Sequence, residues 1–369
     1  MILKREGTVL DFRQTPEEKG AGILTGQYAH VVDGKVYWQC KSPDKMLYAT
    51  ETQGVFHKPE QNSFLGGSLA CHNFVAFKDS REGVPKEELY KAIGGYHVGR
   101  ASIKGEPTQS NILSSPLHGE LSNCSMSQSL EVVPTSDNLW PQETRLSFKD
   151  DFCHPKHANG FYIFKSHDGI EWSLYHDRPV ISGFTSGENG IPVACDSMPS
   201  IFFDNNIGEY VAYLRCNVKL GVRHVFYTRS KDLINWEVPK LITKSPEFDV
   251  EHENLYYMCA YPFLSDKYIS FTPHFKNYVN PSNNNDRKYY DGKTLVMTSL
   301  NGVDWKVIDE IFIEEATGHM TQPHVLSFKE EEGSYCIYVH ENFISYKNKL
   351  VKYTIAKSEL DLLVKEAFV

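Results

Sequence analysis

The 369-residue chain has no apolar run approaching the ~20 residues of a helical membrane span, which argues against a membrane protein of that kind. No apolar stretch follows the charged start Met1-Ile2-Leu3-Lys4-Arg5-Glu6-Gly7, so it does not read as a signal peptide, and a cytoplasmic setting is expected. The eight cysteines (Cys40, Cys71, Cys124, Cys153, Cys195, Cys216, Cys259 and Cys336) contain no C-x-x-C pair. That spacing favours free, buried thiols in a reducing compartment over a disulfide framework or a zinc site. There is no basic excess: 38 Lys+Arg stand against 47 Asp+Glu, a formal charge of −9. A nucleic-acid backbone is therefore not expected as the main partner, since phosphate contacts need a basic face. No membrane partner and no cofactor are expected, and the sequence leaves the oligomeric state open.

What is present points to a packed globular protein. Aromatics make up 13% of the chain, with 21 Tyr and 21 Phe, too many for a disordered polymer. A chain this long can bury most of its apolar surface without covalent staples. Strand signals dominate, in runs such as Val36-Tyr37-Trp38, Ile201-Phe202-Phe203, Tyr210-Val211-Ala212-Tyr213 and Tyr335-Cys336-Ile337-Tyr338. No long stretch shows a clean helical period, and Gly, Pro and Asn punctuate the chain at short intervals.

A repeat organises these strands. Ser166-His167-Asp168-Gly169-Ile170-Glu171-Trp172, Ser230-Lys231-Asp232-Leu233-Ile234-Asn235-Trp236 and Ser299-Leu300-Asn301-Gly302-Val303-Asp304-Trp305 share a serine, an Asp or Asn two later and a Trp six later. Degraded copies are expected at Thr50–Gly54, with His57 in the Trp position, and at Lys357–Asp361. Ser166, Ser230, Ser299 and Ser358 are 64, 69 and 59 residues apart, long enough for one four-stranded propeller blade each. Five such units fit, starting near Tyr28, His72, Ser200, Leu255 and His324. The expected fold is all-β: a five-bladed β-propeller with four-stranded antiparallel blades, one domain over 1–369. An insertion at about 105–159 in the second blade is expected to be a flap or mobile loop. The fifth unit lacks an outer strand, which Gly7–Phe12 can supply, closing the ring with both termini in one blade. Ser and Asp of the repeat are expected to cap its hairpin while the Trp packs between blades, an architectural role without chemistry.

In such a blade the start of strand one and the end of strand two share one face. At strand-one starts stand His72-Asn73, Cys195-Asp196-Ser197, His252-Glu253-Asn254 and Gln322-Pro323-His324, with Gln27 and His30 as further candidates. At strand-two ends stand Lys41, Arg215, His274 and His340-Glu341. A ring of charge at one channel mouth is costly without a ligand. Carboxylates from different blades facing one cavity are what glycosidic cleavage requires, one as acid and another as base or nucleophile. Asp196, Glu253 and Glu341 are the catalytic candidates, with Arg215 or His274 placed to hold one of them ionised. His72, Asn73, Arg215, Arg223, His252, His274, Gln322 and His324 are candidates for substrate binding. Tyr256, Tyr257 and Tyr261 fit either a sugar-stacking wall or the core. The histidines show no metal-ligand spacing of the H-E-x-x-H type, so no metal is expected.

At Ser230-Lys231-Asp232-Leu233-Ile234-Asn235-Trp236-Glu237 the chain resembles the five-bladed propeller glycoside hydrolases of the invertase and arabinanase type. It is more similar to an uncharacterised glycosyl-hydrolase-like group through His72-Asn73, Phe77-Lys78-Asp79, Leu89-Tyr90-Lys91-Ala92, Asp196-Ser197, Tyr213-Leu214-Arg215 and Gly221-Val222-Arg223. The resemblance spans about Gln27 to Leu360 and implies Asp196 as a site residue. The invertase W-M-N-D-P-N-G, R-D-P and E-C motifs are absent, so no catalytic assignment passes across from invertases. The leading reading is a hydrolase acting on the O-glycosyl bond of a small or anionic saccharide, with a place in carbohydrate metabolism. The alternatives are a glycoside phosphorylase, which needs a single acid and an anion clamp, and a non-catalytic carbohydrate-binding propeller.

Overall fold

The computed structural model describes residues 1–13, 18, 25–41, 44–66, 73–96, 131–132, 146–147, 160–176, 180–182, 184–186, 192–195, 198–219, 222–247, 249, 252–280, 283–313, 324–342 and 347–369. Five sheets form a five-bladed propeller, antiparallel except where Thr243–Ser245 adds in parallel to the outer strand of the fourth blade. The first blade runs outward as Thr25–Val32, Lys35–Lys41, Asp44–Thr52 and Val55–His57. The second is Val75–Lys78, Tyr90–Tyr96, Gly160–Ser166 and Ser173–Leu174. In the third, Ser200–Asp204 pairs with Glu209–Lys219, followed by Val222–Ser230 and the short Lys240–Leu241. In the fourth, Lys267–Asn280, Asn283–Ser299 and Asp304–Ile311 lie outside an inner strand broken into Glu253–Leu255 and Cys259–Phe263. The fifth is His324–Glu331, Ser334–Glu341 and Lys349–Ala356, and its outer strand is Lys4–Asp11, as expected from the unpaired N-terminal run. Of the expected insertion, only the two-residue pair Glu131–Val132 and Leu146–Ser147 is described.

The serine–Trp repeat is the hairpin before the outer strand. Ser299 Oγ accepts from Gly302 N–H at 2.9 Å, and Asn301 Oδ1 accepts from Val303 and Asp304 N–H at 2.9 and 2.8 Å. Ser166 with Asp168 and Ser230 with Asp232 repeat the pattern. Each Trp indole N–H returns to the carbonyl of the fourth motif residue: Trp172 to Gly169, Trp236 to Leu233 and Trp305 to Gly302, at 2.9–3.1 Å. The rings then pack between blades, Trp172 against Tyr37 and Trp305 against Tyr213, edge-on at 6.3 and 5.9 Å. The same carbonyls clip the neighbouring blade, since Tyr37 OH donates to Gly169 O at 2.8 Å and Tyr213 OH to Gly302 O at 3.0 Å.

The two degraded copies do not form this hairpin. At Thr52–Val55 the turn residues Gln53 (φ 52°) and Gly54 (φ 80°) are both left-handed, the signature of a two-residue primed turn. The expected Trp position falls one residue too far: six after Thr50 stands Phe56, which is buried and packs edge-on against Tyr338 of the fifth blade, whereas His57 is exposed. At the C-terminus Lys357–Glu366 is an α-helix. Val364, standing where the Trp would be, is buried with Leu360 four residues earlier, a helical spacing.

A propeller's inner strands do not pair with one another, and side chains bridge each seam instead. His30 Nε2 accepts from Ala76 N–H at 2.8 Å, joining blades one and two. Ser80 Oγ faces Phe203 O at 3.5 Å and accepts from Asn205 Nδ2 at 3.1 Å between two and three. Ser200 Oγ donates to Ala260 O at 3.0 Å between three and four. Tyr257 OH donates to Val325 O at 2.9 Å between four and five. Ser327 Oγ accepts from Val31 N–H at 2.6 Å between five and one. Farther from the mouth a second set recurs: Tyr90 donates to Asp33, Tyr210 to Asp79 and Tyr268 to Asp204, each a strand-two tyrosine meeting an aspartate of the preceding blade.

The hairpin geometry gives a direct test. A Cβ at Gly302 (φ +75°) would sit 2.8 Å from Tyr213 Oη and 3.1 Å from the Tyr227 ring, whereas Gly208 (φ +68°) has nothing within 4 Å. Both G208A and G302A carry the left-handed penalty of about 1–2 kcal/mol. G302A is expected to lose roughly 1–3 kcal/mol more through overpacking, read as a lower urea midpoint at unchanged slope. Equal losses in the two variants would contradict the clip.

Candidate active site

Strand direction puts the starts of inner strands and the ends of second strands at one mouth of the channel. In the fourth blade Leu255 pairs with His274 and Glu253 with Lys276; in the fifth His324 pairs with His340; in the third Cys195 pairs with Cys216, beside Arg215. Deeper in, a cavity of about 220 Å³ lies among inner-strand residues of all five blades. No carboxylate lines that cavity, and its His30, Ser200 and Ser327 are engaged in the seam bonds. Lys78 is the charged residue of that lining, and its ammonium lies 3.0 Å from Asp33; the rest of the throat is mostly apolar.

The described cluster straddles the third and fourth blades. Glu253 opens the inner strand, with its side chain 14% exposed. One carboxylate oxygen lies 3.5 Å from Lys244 Nζ and accepts from Asp249 N–H at 3.3 Å, and the other lies 3.7 Å from His274 Nε2. Lys244 is itself buried, donating to Pro246 O at 2.8 Å. Arg215 and Arg223 reach across from the third blade, their guanidinium carbons 5.0 and 6.0 Å from the centre of the Tyr256 ring. Asn254 ties the two blades at the same point, its Oδ1 accepting from Arg223 N–H at 2.9 Å.

Of the expected site residues, Glu253 thus meets His274 on the fourth blade, and Arg215 and Arg223 meet Tyr256 where the third blade adjoins it. His252 is nearby in the chain but exposed, 3.0 Å from Asp249. Asn73 is fully buried, in a left-handed conformation (φ 58°), and donates to Gly95 O at 3.1 Å, shaping the start of its own blade. Glu341 turns toward its own outer strands. It takes a two-pronged ion pair from Arg5 at 2.9 and 3.1 Å and a hydrogen bond from Tyr353 at 2.6 Å. Burial alone would raise its pKa, but those bonds outweigh it and hold the carboxyl below its ordinary value. Glu341 thereby binds the N-terminal strand to the last blade. Tyr257 and Tyr261 are seam and core residues rather than a wall. Asp196, His72, Gln322 and the side chain of His324 lie outside the described residues. Lys244 is not among the sequence candidates, because it precedes the strand-one start; a lysine two residues after the apolar Leu241-Ile242 pair is the signal it leaves.

His274 departs from its expected electrostatic role. Burial lowers its pKa to about 4 against the opposing pull of Glu253, so near neutral pH it is an uncharged partner and supplies no positive charge to the carboxylate. Its Nδ1 has no hydrogen-bond partner among the described residues. Burial likewise lowers His30 to about 4 and His340 to about 3. For His30 the bonds fix the tautomer: Nε2 accepts from Ala76, and Nδ1–H donates to Tyr28 O at 3.1 Å.

No protein-family model matches the chain, and no curated protein matches it in sequence. Solved structures match its architecture. One described as a glycoside hydrolase superposes with a TM-score of 0.55 at 10% identity, covering 95% of this chain and 90% of that one. The chain shares the fold of that solved structure. A second match, BT0996 in a complex with RGII, gives a TM-score of 0.52 at 11% identity over 95% and 90% of the two chains. The α-L-arabinofuranosidase of Fusarium graminearum with arabinobiose gives 0.43 at 10% identity over 96% and 99%. Identities this low establish the shared propeller and leave activity to be argued from the mouth of this one.

The three neutral histidines set a pH dependence. In the unfolded chain each takes a proton near 6.5, while in the propeller each resists until about 4 or below. Stability is therefore full above about pH 6.5 and declines as pH falls, each histidine contributing a slope of roughly 1.4 kcal/mol per pH unit. Urea midpoints between pH 7 and pH 5 should fall, and H340Q should flatten the profile by one histidine's share. An unchanged slope in that variant would contradict a neutral buried His340.

Proposed function

We propose that this protein is a glycoside hydrolase-like enzyme that cleaves a glycosidic bond of a small saccharide at the channel mouth between the third and fourth blades. The observation that carries the reading is Glu253. It is a largely buried carboxylate, bracketed by the Lys244 ammonium and the neutral His274, one residue from Asn254, which with Tyr256 of the same blade meets Arg223 and Arg215 of the neighbouring blade. Burying such a group has a cost that a purely structural role would avoid with an apolar residue. Asp196 follows Cys195, whose backbone pairs with Cys216 beside Arg215, and we take it as the second carboxylate.

Hydrolysis needs one carboxylic acid to protonate the leaving oxygen and one carboxylate to activate water or attack the anomeric carbon. Glu253, with Lys244 as counter-ion, suits the ionised role, and Asp196 then serves as the acid. A separation of ~5–5.5 Å between them implies retention and ~6.5–9.5 Å inversion. Tyr256, buried against Tyr257 and Phe275, carries Arg215 and Arg223 over its ring, and those guanidinium groups rather than the ring are the groups offered to a sugar's hydroxyls. The shared fold of a solved glycoside hydrolase supports the reading.

Incubating the full chain with a panel of neutral and acidic oligosaccharides and measuring new reducing ends tests it. We expect turnover on at least one member, reduced by about 10²–10⁴-fold in E253Q and in D196N, with far-ultraviolet circular dichroism unchanged. No release from any member, or full activity in E253Q, would overturn it.

A further inference from the structure

We infer that the fourth blade carries a β-arm at the mouth, residues 277–280 and 283–289, which holds sugar units beyond the cleaved bond, so that the ligand is a neutral oligosaccharide rather than a single sugar. The inference rests on the reading of the mouth as a saccharide site and adds the length of what binds there.

The second and third strands of the fourth blade outrun its inner strand. Lys267–Asn280 has 14 residues and Asn283–Ser299 has 17, against 8 each for Ser334–Glu341 and Lys349–Ala356 in the fifth blade. The excess starts where the inner strand stops. Glu253, the first inner-strand residue, pairs with Lys276, and past that position the second strand pairs only outward, Asn277 with Tyr289, Tyr278 with Lys288 and Val279 with Arg287. Second strands run toward the mouth, so the extra ladder projects beyond it, by ~14 Å over residues 277–280.

The foot of the arm is fixed beside Glu253. His274 pairs with Lys293 and Lys276 with Tyr290, so Asp291 and Gly292 together face Phe275. This is a β-bulge, a device that bends a ladder and is common next to active sites. Asp291 takes the left-handed conformation there (φ 59°), and its carboxylate lies 3.5 Å from Lys276 Nζ. The inner edge of the arm meets no strand among the described residues, so its main-chain donors and acceptors stand open above Glu253. The composition of the arm says what suits that edge. It is built mainly of asparagine and tyrosine, as in Asn277-Tyr278-Val279-Asn280 and Asn283-Asn284-Asn285, and Val279 is its one aliphatic residue. A protein-docking patch is apolar at its centre. Amides that both donate and accept, and phenols that join a flat ring to a hydroxyl, are the chemistry of sugar recognition. Its charges, Asp286, Arg287 and Lys288, are of both signs and favour no single ionic ligand.

The test grades the oligosaccharide panel by length, from nitrophenyl monosaccharides to tetrasaccharides, measuring cleavage by the full chain and binding to E253Q by isothermal titration. We expect kcat/KM and affinity to rise by roughly tenfold or more from mono- to trisaccharide, because remote sugar units add binding energy. Replacing residues 277–289 by the turn Asn-Gly joins Lys276 to its partner Tyr290 and leaves the bulge in place. At unchanged melting temperature, this variant should bring the ratio of tri- to monosaccharide close to one. A shorter cut, Asn-Gly in place of residues 279–287 between the paired Tyr278 and Lys288, should lower that ratio less. An unmodified chain that treats all lengths alike, or cut variants that keep its full preference, would overturn the arm. Cleavage without a length preference defeats the arm alone. Length-dependent binding to E253Q that the cut removes, without turnover of any member, defeats the hydrolase alone, and no binding at any length defeats both.

Discussion

The free edge of the inner strand is the constraint on which this structure depends. Each blade presents one row of main-chain N–H and C=O groups to the channel with no further strand to receive them, and buried groups of that kind are costly when unmet. Here a histidine, a tyrosine and serines from adjoining blades meet them: His30 for Ala76, Ser200 for Ala260, Tyr257 for Val325 and Ser327 for Val31. A typical such bond contributes only about 0.5–1.5 kcal/mol net, but leaving a buried donor unpaired costs about 1–3 kcal/mol. The seams thus fix the angle between blades more through what misalignment would expose than through what they add.

That rigidity carries through to the mouth. Because blades three and four are locked at Ser200 and again by Tyr268 with Asp204, the Asn254–Arg223 bond and the Arg–Tyr256 contacts form between elements that are already positioned. Glu253 sits on the short inner segment of the fourth blade just before the strand breaks, which places it at the mouth beside the contact between blades. The polar cluster stands over a mostly apolar throat, whose charged lining residue, Lys78, pairs with Asp33.

Much of this was legible in the sequence, and the rest has identifiable physical reasons. The serine–Trp hairpin is local: its bonds join residues two or three apart, so it leaves a fixed spacing, and the closing N-terminal strand was readable from the missing partner in the fifth unit. The Tyr–Asp seams were not readable, because Tyr210 and Asp79 are 131 residues apart and neither has a local signature. Glu341 shows the limit of arguing from strand ends. Its position near the mouth was right, but alternation sets it on the face of Tyr353 and Arg5, where it serves closure. The helix Lys357–Glu366 reads as a decayed hairpin in the sequence because Ser358 falls near the repeat spacing, 59 residues after Ser299, and that outweighs an i, i+4 apolar pair in a short segment.

The central claim is that chemistry happens where Glu253, Tyr256 and the two arginines meet. The most direct measurement is a crystal structure of E253Q soaked with an oligosaccharide that the unmodified protein cleaves. The predicted result is a sugar beside Arg215 and Arg223 with its scissile linkage within reach of the residue 253 side chain and of a second carboxylate about 5–10 Å away. A saccharide seated elsewhere on the propeller, with that cluster untouched, would contradict it.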